Sequence, residues 1–132
     1  HWALYKIDKT RIWAYSKNNH YTKEIVVNKK FLNSLNNIFK KLKNDDKKLS
    51  ILMYPYPYHF LYKNYDTQFI KSIKNFCINK CNLFINSYND FSSRMTGQDP
   101  WQFIDKIYLS YSVHFNKEGN KIIADLFTKF LK

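Results

Sequence analysis

The segment 49-LSILMY-54 is a short apolar run that stops at Pro55, and a second run, 83-LFI-85, stops in the polar stretch 86–90. Neither run is long enough to form a helix, and each follows a segment with helical periodicity. Short apolar runs of this kind are typical of buried parallel strands, which are covered on both faces. The sequence therefore predicts two parallel strands, near residues 49–54 and 82–86, at the centre of an α/β fold.

Three segments around these runs have apolar residues at the spacing of a helix face. We predict helices near residues 22–43, 66–81 and 117–131, and a shorter helix that begins at Asp99 and Pro100, since Asp caps a helix and Pro fits its first turn. The order helix, strand, helix, strand, helix is half of a doubly wound sheet. We therefore expect one domain over residues 1–132, with a partial doubly wound (flavodoxin-like) parallel sheet and flanking helices.

The net charge of +12 is no evidence for nucleic-acid binding in this chain. Of the 22 basic residues only Arg11 and Arg94 are arginines, and the bidentate contact that recognises guanine or phosphate is a property of arginine. We predict no nucleic-acid partner. The lysines favour a general attraction to polyanions, which salt would screen.

Few residues suit a metal, a phosphate loop or a disulfide. The chain has 2 glycines, four widely spaced histidines, and the cysteines Cys77 and Cys81. If residues 66–81 form one helix, these cysteines share a face but are too far apart for an unstrained disulfide, and we expect two unbridged core residues. No metal site and no cofactor is predicted. The first residues lack the apolar stretch of a signal peptide, and no run approaches the length of a membrane span.

Ligands of such sheets bind beyond the carboxyl ends of the strands. This rule selects the stretches 55–59 and 86–97, both expected as loops, and the stretch 111–119. In the last of these, His114 stands just before a helix that Asn116 is predicted to cap, and Gly119 would let that helix approach its neighbour closely. The local sequence is equally consistent with His114 as a general base and with a histidine that only packs at the helix start.

The stretch 112-SVHFNKEGNKIIA-124 resembles the last conserved block of SGNH (GDSL-like) hydrolases, in which an acidic residue and a histidine precede Asn, Gly and an apolar helix. The segment 54-YPYPYH-59 resembles the Tyr-Pro-Trp-Pro segment of membrane-associated members of that superfamily. The order of elements over residues 21–131 is also similar. The resemblance implies that the chain is the C-terminal portion of an SGNH-type serine ester hydrolase or O-acyltransferase.

The resemblance implies that His114 takes the proton of a serine nucleophile and that an acidic residue just before it orients the imidazole. Here the acidic position holds Ser112, or Tyr111 in the alternative spacing, and neither carries a charge. None of the nine serines is flanked by glycine as the nucleophile would be. We therefore predict that this chain is inactive alone and is completed by an upstream N-terminal half or a partner chain. Asp90 and Asp105 are the nearest stand-ins for the acid.

For the substrate we expect an acyl ester or an O-acetylated glycan, with Tyr56, His59 and Asn116 assigned to binding. The alternative for Tyr56 and His59 is an aromatic-rich loop that packs on the core. Membrane association would come through a segment ahead of His1, and the resemblance favours the cell envelope. The alternative to an enzyme is a catalytically inactive binding or structural module of the same fold.

Overall fold

A computed structural model describes residues 14–15, 29–63, 68–110 and 112–130. Within these ranges six helices and two strands follow one another along the chain. Their order is α1 (Lys29–Asn44), β1 (Leu49–Met53), α2 (Pro57–Tyr62), α3 (Gln68–Cys77), β2 (Cys81–Asn86), α4 (Tyr88–Met95), α5 (Pro100–Ile107) and α6 (Lys117–Phe130). Residues 22–28 of the first predicted helix, 66–67 of the second and 131 of the third lie outside the described ranges.

The two strands pair in parallel, as the apolar runs predicted. Their register places Ser50 opposite Leu83 and Met53 opposite Asn86. Ser87 extends the pairing past the strand ends, because its backbone N–H and its hydroxyl both donate to the carbonyl of Met53, at 3.0 and 2.8 Å. The α/β class is thus confirmed. The described residues form a two-stranded sheet, so the doubly wound order stays a prediction.

Two stretches that we predicted as loops contain helices. Residues 55–59 turn into α2 at Pro57, whose fixed backbone angle suits a first helical turn. Residues 86–97 contain α4, which buries Tyr88, Phe91 and Met95. Helices of six and eight residues have too few turns for a periodic pattern to stand out, and packing against the rest of the core stabilises them.

The main core lies among α2, α4, α5 and α6. Phe60 and Phe91 are fully buried in this cluster together with Ile107 and Leu126. The predicted apolar stripe on α1 is only partly covered, because α1 has no buried residue and Phe31 and Ile38 keep 43% and 51% of their surface exposed. The described helices include none long and apolar enough to cross a membrane.

The prediction of two unbridged cysteines is wrong. Cys77 and Cys81 form a disulfide, and their Cα atoms are 4.6 Å apart. The error came from treating both cysteines as members of one helix. Helix α3 instead ends at Cys77 and a tight turn leads to Cys81, the first residue of β2, so the two Cα atoms lie within the range that a disulfide spans.

Candidate functional site

The segment between α5 and α6, residues 108–116, is called the His114 segment, and it is held in place at both ends. Tyr108 and Phe115 form an antiparallel bridge. Inside this bridge the N–H of Leu109 donates to the carbonyl of His114 at 2.9 Å, and the N–H of Ser112 donates to the carbonyl of Leu109, also at 2.9 Å. These bonds fix the backbone of the residue that carries the candidate base.

The same segment lies against the carboxyl end of β1. The ring of Phe115 is 5.2 Å from that of Tyr54, the residue that follows β1. The hydroxyl of Tyr108 donates a short hydrogen bond to the carbonyl of Pro55. His114 is therefore the neighbour in sequence of Phe115, whose ring lies against Tyr54 at the end of β1. This placement agrees with the neighbourhood predicted for His114, while its catalytic role stays a prediction.

The imidazole of His114 is exposed. Its backbone is engaged on both sides, since its carbonyl accepts from Leu109 and its N–H donates to Ser112 Oγ at 3.2 Å. Among the described residues no hydrogen-bond partner of the imidazole is found. The side chain is therefore open to a group that arrives from outside these residues.

Ser112 is buried, with 3% of its surface exposed. Its hydroxyl oxygen accepts the N–H of His114, and its carbonyl accepts the hydroxyl of Tyr15 at 2.6 Å. Among the described residues, the Ser112 hydroxyl thus bonds the backbone of His114 and not its imidazole. Of the two predicted stand-in acids, Asp90 lies 3.8 Å from Lys129 in an ion pair, and Asp105 is exposed on α5. Among the described residues neither of them bonds His114.

Asn116 has a structural role that uses its whole side chain. Its Oδ1 accepts the backbone N–H groups of Glu118 and Gly119, at 2.9 and 3.1 Å, so it caps α6 as predicted. Its Nδ2 donates to the carbonyls of Lys106 and Tyr108, at 2.9 and 3.1 Å. A substrate would have to compete with these four bonds, which favours capping over the predicted role in substrate binding.

Gly119 makes the close approach that we predicted. A Cβ atom at this position would collide with the carbonyl oxygen of Ile107 and with the ring and Cβ of Phe115. The first turn of α6 can therefore lie directly against the end of α5. This contact brings the two ends of the His114 segment together.

His59 is buried near the carboxyl ends of the two strands, and its imidazole is neutral. Its Nδ1 accepts the backbone N–H of Tyr56 at 2.9 Å, so the ring proton is on Nε2, which lies 3.4 Å from the hydroxyl of Tyr88. Burial lowers the pKa of His59 to about 4, although a bond with the Tyr56 backbone acts in the opposite direction. Only 8% of the surface of His59 is exposed, and its ring holds the backbone of Tyr56 in place. The alternative in which this aromatic-rich stretch packs on the core therefore describes His59 best.

Tyrosines surround this histidine at the strand ends. Burial raises the pKa of Tyr88 and of Tyr108 well above the usual value, and the neighbouring hydroxyls of Tyr54 and Tyr56 raise both further. These groups are neutral phenols at all physiological pH values. Tyr54 keeps 38% of its surface exposed, so it presents the most accessible ring beside Phe115.

Sequence reasoning selected Tyr56 and His59 but missed Tyr54, Tyr88 and Tyr108. A signal was present for two of these, since Tyr54 ends the first apolar run and Tyr88 comes two residues after the second strand. Tyr108 had no such signal, because its position depends on α5 packing against α2. In the described part of the chain no group of three His, Cys, Asp or Glu residues is placed to hold a metal ion.

No family model, no curated protein and no solved structure matches this chain.

Proposed function

We propose that the chain supplies the histidine-bearing part of an SGNH-type serine ester hydrolase or O-acyltransferase, with His114 as general base. One observation carries this proposal. The exposed imidazole of His114 stands on a segment that hydrogen bonds hold at both ends, beside the carboxyl end of β1. A general base needs a fixed backbone and an open side chain, and His114 has both.

In this proposal the nucleophile lies in an N-terminal segment or a partner chain, because no serine here has the required glycine neighbours. The serine oxygen attacks the acyl carbonyl and its proton passes to His114. The protonated imidazole then gives this proton to the leaving alcohol as the ester bond breaks, and water or an acceptor hydroxyl releases the acyl group. The oxyanion donors come from the same segment or partner chain.

The expected substrate is an acyl ester, in particular an O-acetylated glycan. Tyr54 and the half-buried Tyr56 supply aromatic surface at the strand end, against which a sugar ring could stack. His59 holds Tyr56 in position through the bond to its backbone N–H. Location in the cell envelope belongs to the same proposal, and the Cys77–Cys81 disulfide supports it, because disulfides persist in oxidising compartments.

The second candidate is a catalytically inactive binding or structural module of the same fold. Ser112 favours it, since a hydroxyl bonded to the backbone of His114 cannot offset the charge of an imidazolium. Under this alternative the His114 segment is only the connection between α5 and α6.

Labelling with a fluorophosphonate distinguishes the two candidates, because this reagent forms a bond only with an activated serine. The chain together with the segment or partner chain that supplies the nucleophile should be labelled, and His114→Ala should abolish the labelling. Asn120→Ala, an exposed change on helix α6, which follows His114, should leave it unchanged. Labelling that survives His114→Ala would refute the role of His114, and a folded full-length protein without any labelling would favour the inactive module.

A further inference from the structure

A groove separates α1 from α3 on a part of the molecule that the His114 segment does not touch. The helices contact each other through Phe31 and Phe69, whose ring centroids are 5.6 Å apart. The cavity beside this contact has a volume of about 550 Å³, which is within the size range of small-molecule sites. It is lined by Leu32, Asn33, Asn36, Ser72, Asn75, Phe76 and Lys80.

The lining is rich in hydrogen-bonding groups. Asn33 and Asn36 are three residues apart on α1, and Ser72 and Asn75 are three apart on α3, so each pair lies on one helix face. Three amides and a hydroxyl offer both donors and acceptors. Leu32 and Phe76 add apolar surface. No carboxylate belongs to the lining, and Lys80 supplies its only formal charge.

The ammonium group of Lys80 is held in the groove. Its Nζ donates to Asn36 Oδ1 at 3.0 Å and lies 4.6 Å from the centroid of the Phe76 ring. The backbone is fixed as well, because the N–H of Lys80 donates to the carbonyl of Cys77 at 3.2 Å in the turn that the Cys77–Cys81 disulfide closes. Among the described residues no carboxylate lies within ion-pair distance of this nitrogen. Within the described ranges its positive charge is therefore fixed in position without a carboxylate partner.

We propose that this groove binds a hydroxylated anion, namely a sugar acid or a sugar phosphate. Lys80 pairs with the anionic group, and the amides of Asn33, Asn36 and Asn75 bond the hydroxyls. The apolar side chains of Leu32 and Phe76 contact the ring carbons. A ligand without the anion loses the pair with Lys80, and an anion without hydroxyls leaves the amides unused. The groove shares no residue with the His114 segment, so this proposal does not depend on the proposed function.

Titrations of the full chain followed by NMR test the site directly, with the side-chain amide signals of Asn33, Asn36 and Asn75 as the readout. Four probes separate the requirements: glucuronate, glucose 6-phosphate, glucose and inorganic phosphate. We expect saturable shifts of these amides with glucuronate, with glucose 6-phosphate or with both, and at least tenfold weaker binding of glucose and of inorganic phosphate. A response to only one of the two anionic sugars identifies the anion.

Lys80→Met removes the charge and keeps the length of the side chain, and it should weaken binding roughly tenfold or more. Lys74→Met makes the same change of charge on an exposed residue of α3 outside the groove and should have no such effect. Lys80→Arg keeps the charge and should retain most of the affinity. Reduction of the disulfide should weaken binding, because it releases the turn that positions Lys80.

Three results would overturn the proposal. The first is the absence of saturable amide shifts with both anionic sugars. The second is an equal loss of affinity in Lys80→Met and Lys74→Met, which would show that binding depends only on the net charge of the protein. The third is glucose binding as tightly as glucuronate, which would remove the role of the anion.

Discussion

The Nε2 atom of His59 lies 3.4 Å from the hydroxyl oxygen of Tyr88, and the pair is buried where β1 and β2 end. The other ring nitrogen accepts the backbone N–H of Tyr56 at 2.9 Å. The folded state therefore holds a neutral imidazole whose two nitrogens are both engaged. Protonation would turn Nδ1 from an acceptor into a donor and place a charge in a site that is largely shielded from water.

This pair makes stability depend on pH. Burial lowers the pKa of His59 to about 4 in the folded state, whereas an unfolded histidine titrates near 6.5. Between these values the unfolded chain binds more protons, so the stability contributed by neutral His59 is complete above about pH 6.5 and is lost as the pH falls to about 4. We expect the free energy of unfolding to fall by about 3 kcal/mol over this window.

Chemical denaturation of wild type and of His59→Asn across this pH range measures the effect. Asparagine can accept the N–H of Tyr56 but does not titrate, so the difference between the two proteins isolates His59. Equal pH dependence in both proteins would show that His59 is accessible to protons in the folded state.

The four hydrogen bonds of Asn116 should make it important for stability. Asn116→Ala removes the α6 cap and both bonds to the end of α5, and we expect a loss of about 2 kcal/mol in thermal or chemical unfolding. Asn116→Asp keeps the two acceptor bonds and loses the two donor bonds, so its loss should be smaller. If both variants unfold like wild type, the side chain is free to bind substrate as predicted at first.

Gly119→Ala should destabilise the protein by about 1–3 kcal/mol, because the added Cβ meets the backbone carbonyl of Ile107 and the ring of Phe115. A backbone carbonyl cannot rotate away as a flexible side chain can. The exposed neighbour Asn120→Ala is the matched control and should be neutral or slightly stabilising, since alanine favours helices. A stable Gly119→Ala variant would mean that α5 and α6 can separate at little cost.

Ser112→Asp tests whether the candidate base lacks a charged partner. If the proposed function is right and a nucleophile is supplied, the carboxylate should raise ester turnover by as much as about 10⁴, with little change in KM, because the charge matters mainly in the transition state. Acetyl-ester hydrolysis by the full-length protein measures this. Ser112→Asn, similar in shape but uncharged, should give no gain.

The result for Ser112→Asp also distinguishes the alternatives. No gain in a protein that is already active would mean that a carboxylate from outside the described residues serves His114. No activity in wild type or variant, with the fold and the nucleophile intact, would favour the inactive module.

The helix caps and the strands could be predicted from the sequence because they depend on the types of a few neighbouring residues. Asp99 accepts the N–H groups of Trp101 and Gln102 at the start of α5, as its position before Pro100 predicted. The apolar runs predicted both strands within one residue of their ends. The disulfide was missed because it depends on one boundary, the end of α3 at Cys77, and boundaries are set by packing and turn geometry more than by periodicity.

The sequence by itself determined the alternation of helices with two parallel strands, the cap at Asn116 and the need for glycine at position 119, since each follows from spacing or from the chemistry of a few neighbouring residues. Only the tertiary structure decided that His59 is buried against Tyr88, that Ser112 bonds the backbone of His114, and that Lys80 points into a groove between α1 and α3. These relationships join residues from separate elements or depend on burial and on the fold of one loop. Such contacts are fixed by how the elements pack, which no local pattern of residues encodes.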